Sequence, residues 1–435
     1  MYQNDYQVTV PQFANRTVSI REYGAKNADL SIEAGRNNAK AINKAIVEVS
    51  AQGGGTVIIP AGIWACVPIR LQSGVNLRLE GQAVLKFIKS KEDYPLIVTD
   101  YEGLPCIRAV SPVSAEHAER IAITGEGIID GGGDEWRPVK RFKVTDPQWN
   151  TLLKKSPYVF KTKETEIWVP SQSSFEGNQK KIQGSAEEIR KQAEPYYDYY
   201  RPVMVSLRHC SQVLLQGVVF RNSPAWNVHP YFCDSVTVDH VSIENPYYAQ
   251  NGDGIDVESC TNVHIHHSTF RTGDDAICIK AGKNAEARKT KGPCRNLWIH
   301  DCTVYEGHGG FVIGSEMSRG VSDILAEDCT FIGTDVGIRM KSALGRGGVV
   351  ENITIRRINM MDIKGEAVLL TMGYQLNVAD KRDPEDACEE DIPYFRNMDM
   401  EQICCIGCGK FVSIEPIAGK PETIQNIRLN GEQLC

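Results

Sequence analysis

Two adjacent aspartates, Asp274 and Asp275, stand at the start of an alternating apolar stretch in the segment RTGDDAICIK, residues 271–280. Neighbouring carboxylates repel each other, so one of the pair keeps its proton to a higher pH than an isolated aspartate does. Such a pair can therefore supply a general acid and a general base. Gly-Asp-Asp is also ordinary turn chemistry, and most such pairs are merely solvated. Which interpretation holds depends on the side chains that the fold brings to this pair.

The elements around the pair are repeats of an alternating apolar stretch followed by a polar turn. The clearest copies are VLLQGVVF from Val213, VTVDHVSI from Val236, VHIHHSTF from Val263, LWIHDCTV from Leu297, ILAEDCTF from Ile324 and ITIRRINM from Ile353. Repetition at a period of about 20 to 50 residues is typical of solenoids. Because each unit has the period of strands and not of helices, we predict an all-β fold whose coils stack as a parallel β-helix.

Three further segments complete the predicted architecture. Apolar residues at helical spacing between residues 36 and 55 predict a capping helix inside an N-terminal cap region of about 17–60. The aromatic-rich, proline-punctuated residues from about 132 to 200 predict a long inserted loop, held mainly by a satellite hydrophobic cluster. A second, basic excursion spans residues 281–294. We predict that residues 1–435 form a single domain.

Composition excludes several classes of protein. The chain of 435 residues is 42% hydrophobic and 24% charged, as in ordinary globular proteins, and its net charge of −7 argues against nucleic-acid or anionic-membrane binding. It contains no run of eighteen apolar residues, so we expect no transmembrane helix. The N-terminal segment MYQNDYQVTV lacks the features of a signal peptide. We therefore expect a periplasmic or secreted protein if a signal peptide was removed, and a cytoplasmic one otherwise.

The fourteen cysteines do not form an evident disulfide framework. Several lie at strand positions, where a free cysteine behaves as a small buried hydrophobic residue. The segment CCIGC, residues 404–408, contains a CxxC, but no second CxxC pairs with it. We therefore expect core packing here and neither a zinc nor a redox site.

The repeat alignment predicts which polar residues are neighbours. Asp274, His308 and Asp335 each lie eleven residues after the start of their stretch, and Cys302 and Cys329 each lie five residues after theirs. Coils stack about 4.8 Å apart, so equal offsets in consecutive coils imply contact in space. Carboxylates and a histidine should therefore meet on one outer face.

The next coil adds two cations to that face. In VGIRMKS, residues 336–342, side chains alternate between the two sides of the strand. If Ile338 and Met340 face the core, Arg339 and Lys341 face outward, towards the aspartates. The outward His264 and His266 of HIHH suggest a metal, but they are also what an alternating strand would expose.

Four short motifs in this order resemble the polygalacturonases of glycoside hydrolase family 28. The motifs are Asn251-x-Asp253, Gly273-Asp274-Asp275, Gly307-His308-Gly309 and Arg339-x-Lys341. The segments VIGSEMSRG and SPAWNVHP, with the basic excursion, are similar to the exo-acting branch. One departure is NGDG at residues 251–254, where many members have NTDG. The resemblance implies a right-handed parallel β-helix that hydrolyses pectic chains with inversion and without cofactor or metal.

The resemblance also implies roles for individual residues. Asp274 would be the general acid, Asp253 and Asp275 would hold and activate the water, and His308 would hydrogen-bond the acid or the sugar. The candidate substrate-binding residues are Arg339, Lys341, His229, Lys280 and Arg288. A guanidinium suits a substrate that carries a carboxylate on each ring. For an inverting enzyme we expect about 6.5 to 9.5 Å between the carboxyls of Asp274 and Asp253.

Two other functions fit parts of the same pattern. A pectate-lyase-like β-helix would use the carboxylates to bind calcium. A non-catalytic carbohydrate-binding β-helix would need no acid–base pair at all. The expected partner in each case is a pectic polysaccharide or oligosaccharide, and the oligomeric state and the pectic linkage stay open.

Overall fold

A computed structural model describes residues 8–180, 182, 186–374 and 387–435. Parallel strands pair from coil to coil and wind into a β-helix with three long faces. The predicted right-handed parallel β-helix is confirmed. No helix among the described residues is long and apolar enough to span a bilayer.

Face A begins at the N-terminal end and pairs in register along the whole solenoid. Its strands are Thr17–Ser19, Gly55–Ile59, Val75–Leu79, Glu119–Gly125, Ser211–Gln216, Asp234–Asp239, Thr261–His266, Cys294–His300 and Ile424–Leu429. The last of these is joined by the short antiparallel strand Glu432–Gln433.

Face B is built from short strands that follow a turn in each coil. These strands are Gly62–Cys66, Ala83–Phe87, Ile128–Asp130, Val219–Arg221, Ser242–Glu244, Thr269–Thr272 and Thr303–Glu306.

Face C carries the aspartate pair. Its strands are Ile69–Arg70, Val113–Glu116, Val205–Arg208, Val228–Tyr231, Ile255–Glu258, Asp275–Lys280, Gly309–Gly314 and Val336–Lys341. Three long strands bend from one face to the next near the C-terminal end: Val321–Ile332, Val349–Thr371 and Tyr394–Glu415.

The core consists of rows of apolar side chains that stack from coil to coil along the inside of each face. On face C one row is Ile255, Ile277, Phe311, Ile338 and Val368, each paired with the next in the sheet. All five are buried in one continuous hydrophobic cluster. Because these rows fix the inward side of each strand, the alternate side chains are held on the outer surface.

The first helix, α1 (Ile32–Ala51), covers the N-terminal end of the solenoid as predicted. Ser31 caps it by accepting a hydrogen bond from the Ala34 N–H at 3.2 Å. Its buried side includes Ile42, Ile46 and Val49. The helix thus shields the first coil, whose core would otherwise face water.

The insertion after residue 132 folds into its own small elements. It contains α2 (Asp146–Lys155), α3 (Gln172–Gly177), α4 (Ala186–Ala193) and an antiparallel sheet of Val139–Lys140, Val159–Lys161 and Glu166–Trp168. Trp149 and Trp168 form a separate hydrophobic cluster with Val139, so the predicted satellite cluster is present, but Trp136 and Tyr197 of the same segment pack in the main core instead. Residues 181 and 183–185 of the insertion lie outside the described residues.

Two other excursions leave the solenoid near face C. A hairpin joins Leu96–Tyr101 to Leu104–Ala109, and the basic excursion contains the short helix α5 (Asn284–Arg288). The hairpin tip packs so closely on the excursion that a Cβ at Gly103 would lie 2.4 Å from the Cα of Gly282. The two excursions therefore form one continuous wall.

The cysteine prediction holds only in part. Eight free cysteines are buried: Cys66, Cys210, Cys233, Cys260, Cys278, Cys294, Cys302 and Cys329. In CCIGC, Cys405 and Cys408 pack against the core, but Cys404 is exposed. Core packing is thus wrong for Cys404, because the strand alternation turns that side chain outward.

Candidate active site

The predicted register across three coils of face C is confirmed by the strand pairing. Asp275 pairs with Gly309, and Gly309 pairs with Val336, so Asp274, His308 and Asp335 immediately precede matched positions. The His308 N–H donates to the Asp274 carbonyl at 3.0 Å. Stacking of equivalent turns therefore delivers these three side chains to one place.

Three carboxylates converge at this place. One oxygen from each of Asp253, Asp274 and Asp275 lies within 4.8 Å of the other two. This approach is closer than the separation expected between Asp274 and Asp253, so the distance does not by itself predict inversion. Asp253 and Asp275 are buried, whereas the Asp274 side chain is 20% exposed. Of the three, Asp274 is thus the carboxyl that a bound sugar can reach most directly.

The turn before the aspartate pair is held by local hydrogen bonds. Thr272 donates from its hydroxyl to the Asp274 carbonyl at 2.7 Å. The Gly254 N–H donates to the Asp275 carbonyl at 2.9 Å, which links the pair to the loop of Asp253. On that loop, Arg201 donates to the side-chain oxygen of Asn251 at 2.8 Å. These bonds fix the carboxylates in spite of their mutual repulsion.

Two cations lie beside the carboxylates, as the alternation predicted. Ile338 and Met340 are buried, and Lys341 donates to Asp275 at 2.7 Å. Arg339 lies 3.9 Å from the other Asp275 oxygen. Both cations also contact the Tyr374 ring, at 5.8 Å for the guanidinium carbon of Arg339 and 5.1 Å for Lys341 Nζ.

His308 joins the carboxylates to the insertion. Its Nδ1 lies 3.1 Å from Asp274 Oδ1, and its Nε2 lies 3.3 Å from Lys143 Nζ. Lys143 also donates to the Gly273 carbonyl at 2.9 Å, and its Nζ lies 4.7 Å from the Tyr247 ring centre. The insertion thus contributes a positive charge directly to this site.

The pKa values of two of the carboxyls shift in opposite directions. Burial, reinforced by the neighbouring charges of Asp274, Asp256 and Asp275, raises the pKa of Asp253 well above its usual value. Burial also acts to raise the pKa of Asp274, but His308, Lys341 and Lys143 outweigh it and hold that pKa below its usual value. The surroundings therefore favour the protonated form of Asp253 over that of Asp274.

Two other predicted binding residues are engaged within the protein. His229 lies with Nε2 3.0 Å from Glu258, and both side chains are buried. Lys280 is buried and donates to Glu316 at 2.9 Å, with Nζ 4.9 Å from the Trp226 ring centre. These interactions shape the floor of face C beside Asp253 and Asp256.

Arg288 connects the basic excursion to later parts of the chain. Its guanidinium donates to the Arg346 carbonyl at 2.7 Å and to Asp391 at 2.6 Å. These contacts use the same nitrogens that a substrate carboxylate would need. Direct substrate binding by Arg288 stays a prediction, and the structure gives this residue an anchoring role.

Sequence reasoning missed Lys143, Tyr374 and Glu316 as members of this site. Lys143 belongs to a segment without repeat register, so no offset placed it near His308. Tyr374 follows the last strand position of its coil, and its aromatic type was the only available signal. Glu316 lies in the segment VIGSEMSRG. Only an alignment of the coils could have predicted that it pairs with Lys280.

The three carboxylates form the kind of group that can bind a cation. Calcium prefers six to eight oxygen ligands. Here Lys341 occupies one side of Asp275 and His308 one side of Asp274. The arrangement therefore suits proton transfer better than calcium binding.

A protein-family model matches the part of the chain that carries this site. Residues 175–387 match the model described as Glycosyl hydrolases family 28. The resemblance to the polygalacturonases of that family, predicted from the four motifs, is thereby confirmed.

Two relatives are named as galacturonosidase or polygalacturonase enzymes. The chain is 29% identical over 371 residues to an exo-poly-alpha-D-galacturonosidase of Dickeya chrysanthemi, which covers 83% of this chain and 58% of the relative. It is 27% identical over 362 residues to a probable polygalacturonase of Vitis vinifera, covering 80% of this chain and 62% of the relative. The match thus spans less than two thirds of either relative.

Solved structures match over almost the full chain. A hyperthermoactive exopolygalacturonase from Thermotoga maritima is 25% identical, with a TM-score of 0.68 over 98% of this chain and 94% of that chain. A family 28 exopolygalacturonase from Yersinia enterocolitica is 24% identical, with a TM-score of 0.71 over 95% and 70%. The second likeness concerns the fold alone.

Proposed function

We propose that the protein is a glycoside hydrolase that removes α-linked galacturonic acid from the ends of pectic polysaccharides or oligosaccharides. The observation that carries this proposal is the group of Asp253, Asp274 and Asp275, whose oxygens lie within 4.8 Å of one another beside Lys341 and Arg339. Carboxyls supply the acid and the base of glycoside hydrolysis. The cations suit the carboxylate that each galacturonic acid ring carries.

Asp274 is the proposed general acid, because it is the most exposed of the three carboxyls. Asp253 and Asp275 hold and activate the attacking water from the buried side. In the substrate-free site Asp274 is ionised, since His308, Lys341 and Lys143 outweigh its burial and lower its pKa. A substrate carboxylate bound by Lys341 would offset this positive charge. The proton could then move from Asp253 to Asp274 as the substrate enters.

The wall formed by the two excursions supports cleavage from the chain end. The hairpin residue Glu102 lies 3.4 Å from Lys283 of the basic excursion. On the inner side, Tyr101 packs on Trp226 with ring centres 4.2 Å apart, and Trp226 contacts Lys280. Because Lys280 ends the strand that Asp275 begins, the wall stands beside the carboxylates. A cleft closed on one side admits a chain end but not the middle of a polymer.

The substrate also bears on the compartment. A pectic polymer does not cross a membrane, so we propose that an enzyme for the polymer works in the periplasm or outside the cell. An enzyme for imported oligosaccharides would instead work in the cytoplasm.

Digestion of polygalacturonate, followed by chromatography of the products and by viscometry, tests the proposal. We expect monogalacturonic acid from the first minutes and a slow fall in viscosity. Mixed oligomers with a rapid fall would show an open cleft and overturn chain-end cleavage. Unsaturated products that absorb in the ultraviolet would overturn hydrolysis in favour of a lyase. Parallel digestion of rhamnogalacturonan oligosaccharides identifies the preferred linkage.

A further inference from the structure

Five of the nine histidines lie together on the outer side of face A, away from the face that carries Asp274. They occupy three successive coils, in which Asp239 pairs with His266 and His266 pairs with His300. His264, on the same strand as His266, pairs with Trp298. Strand alternation explains why these side chains point outward, but it does not explain why so many of them are imidazoles.

Three of these histidines bring ring nitrogens to one place. One nitrogen from each of His264, His266 and His300 lies within 4.8 Å of the other two. The Nε2 atoms of His264 and His300 are 2.8 Å apart. Three convergent imidazole nitrogens are a ligand set that zinc and other late first-row metals prefer.

A carboxylate lies beside one ring nitrogen of His300 and of His266. It favours the tautomer whose other nitrogen can bind a metal. Asp301 Oδ2 lies 2.6 Å from His300 Nδ1. When this nitrogen donates its proton to Asp301, the Nε2 of the same ring keeps a free lone pair that faces His264. Asp239 lies 3.2 Å from His266 Nδ1, which also lies 2.8 Å from His267 Nδ1. Such carboxylate–histidine pairs commonly orient metal-binding imidazoles.

The third ring, His264, is fixed by stacking. It lies against Trp298 with ring centres 4.6 Å apart and an angle of 3° between the planes. Trp298 is itself held by a hydrogen bond from its Nε1 to Glu327 at 2.9 Å. The ring is thus preorganised by its contact with Trp298.

We propose that His264, His266 and His300 bind one late first-row divalent metal ion, with zinc as the probe. Asp301 and Asp239 are positioning residues for the rings of His300 and His266. The ligands come from two adjacent coils, so bound metal would link the strands Thr261–His266 and Cys294–His300. The site lies on a different face from the three aspartates and does not depend on the proposed hydrolysis.

Calorimetric titration of untagged, chelator-treated protein with zinc chloride tests this site. We expect one zinc per chain, and no competition from magnesium or calcium, which prefer oxygen ligands. His264→Ala and His300→Ala should each remove the binding. Asp301→Asn should weaken it by about 10- to 100-fold, the usual effect of losing such a partner. Asparagine tolerates the positive φ of 51° at this position.

His117→Asn is the matched control, since asparagine also tolerates the positive φ of 53° at that position. His117 stacks on His209 with ring centres 5.0 Å apart, but it is not among the three convergent rings. This variant should bind zinc as the wild type does. Circular dichroism without metal shows whether each variant is folded. Absence of zinc binding in the wild type, or equal binding by folded His264→Ala and His300→Ala variants, would overturn the proposal. Zinc should also raise the wild-type Tm and leave that of His300→Ala unchanged.

Discussion

His308 and Asp274 occupy matching positions on consecutive coils, with His308 Nδ1 3.1 Å from Asp274 Oδ1. A backbone hydrogen bond of 3.0 Å, from the His308 N–H to the Asp274 carbonyl, joins the same two residues. The histidine is therefore placed to orient the aspartate and to stabilise its charge. Its other nitrogen faces Lys143, so the ring also connects the solenoid to the insertion.

Asp274→Asn should reduce kcat on polygalacturonate by about 10²- to 10⁴-fold, because asparagine cannot donate the proton that the leaving oxygen needs. An aryl galacturonide has a leaving group that departs without protonation, so the variant should retain much more of its activity on that substrate. Steady-state kinetics on both substrates measures this difference.

Asp301→Asn is the control for that experiment, because Asp301 directly follows a strand of face A, away from the three carboxylates. It should keep near-wild-type turnover. Equal losses on polymer and aryl substrate in Asp274→Asn would contradict the role as acid. A selective loss on the polymer in Asp253→Asn would instead assign that role to Asp253.

His308→Ala should shift the pH profile of kcat, which reports the pKa values of the enzyme–substrate complex. Burial acts to raise the pKa of Asp274, and His308 is the first of the groups that outweigh it. Removing the histidine therefore raises the pKa of Asp274, and the alkaline limb of the profile should move to higher pH. We also expect kcat to fall by about a hundredfold through loss of orientation. An alkaline limb at the wild-type pH would contradict this link.

Asp253→Asn should stabilise the fold while it abolishes activity. Burial raises the pKa of Asp253, so above about pH 4 the unfolded chain releases this proton more readily than the folded one. Wild-type stability is thus lost as the pH rises from there through the folded pKa. Asparagine does not titrate, so the variant avoids this loss. We expect its free energy of unfolding at pH 7 to exceed that of the wild type by about 0.5 to 2 kcal/mol.

Urea unfolding at pH 3 and pH 7 measures this effect, and the gain should vanish at the lower pH. A variant that is less stable than the wild type at pH 7 would show that Asp253 contributes bonds that outweigh its burial.

Lys143→Gln tests the contribution of the insertion. Lys143 Nζ lies 3.3 Å from His308 Nε2 and donates to the Gly273 carbonyl. Its loss should lower kcat/KM by about 10- to 100-fold, the range for a hydrogen bond to a charged group. Lys161→Gln, an exposed position on the same insertion, is the control. Similar kinetics in the two variants would exclude Lys143 from the site.

The relative positions of several site residues could be predicted because these residues lie at equivalent positions in successive repeats. Equal offsets placed Asp274, His308 and Asp335 together, and strand alternation turned Arg339 and Lys341 outward. These predictions depend on local periodicity, which the coil stacking converts directly into distance. The single-domain assignment of residues 1–435 and the catalytic roles stay predictions.

Contacts made by the excursions could not be predicted in this way. Lys143 precedes His308 by 165 residues, and Arg288 precedes Asp391 by 103. Neither pair shares a repeat position, so composition indicated a basic segment but not its partner. The close approach of Asp253 to Asp274 was missed for a similar reason, because the turn geometry and not the coil spacing determines it.

The most direct test of the account is the anomeric form of the first product. Proton NMR of trigalacturonic acid during digestion should show saturated monogalacturonic acid released initially as the β anomer, which is the inverted product of an α linkage. Because the carboxyl oxygens are closer than the inverting range, this measurement and not the distance decides the stereochemistry. Initial release of the α anomer would contradict inversion, and an unsaturated product would contradict hydrolysis itself.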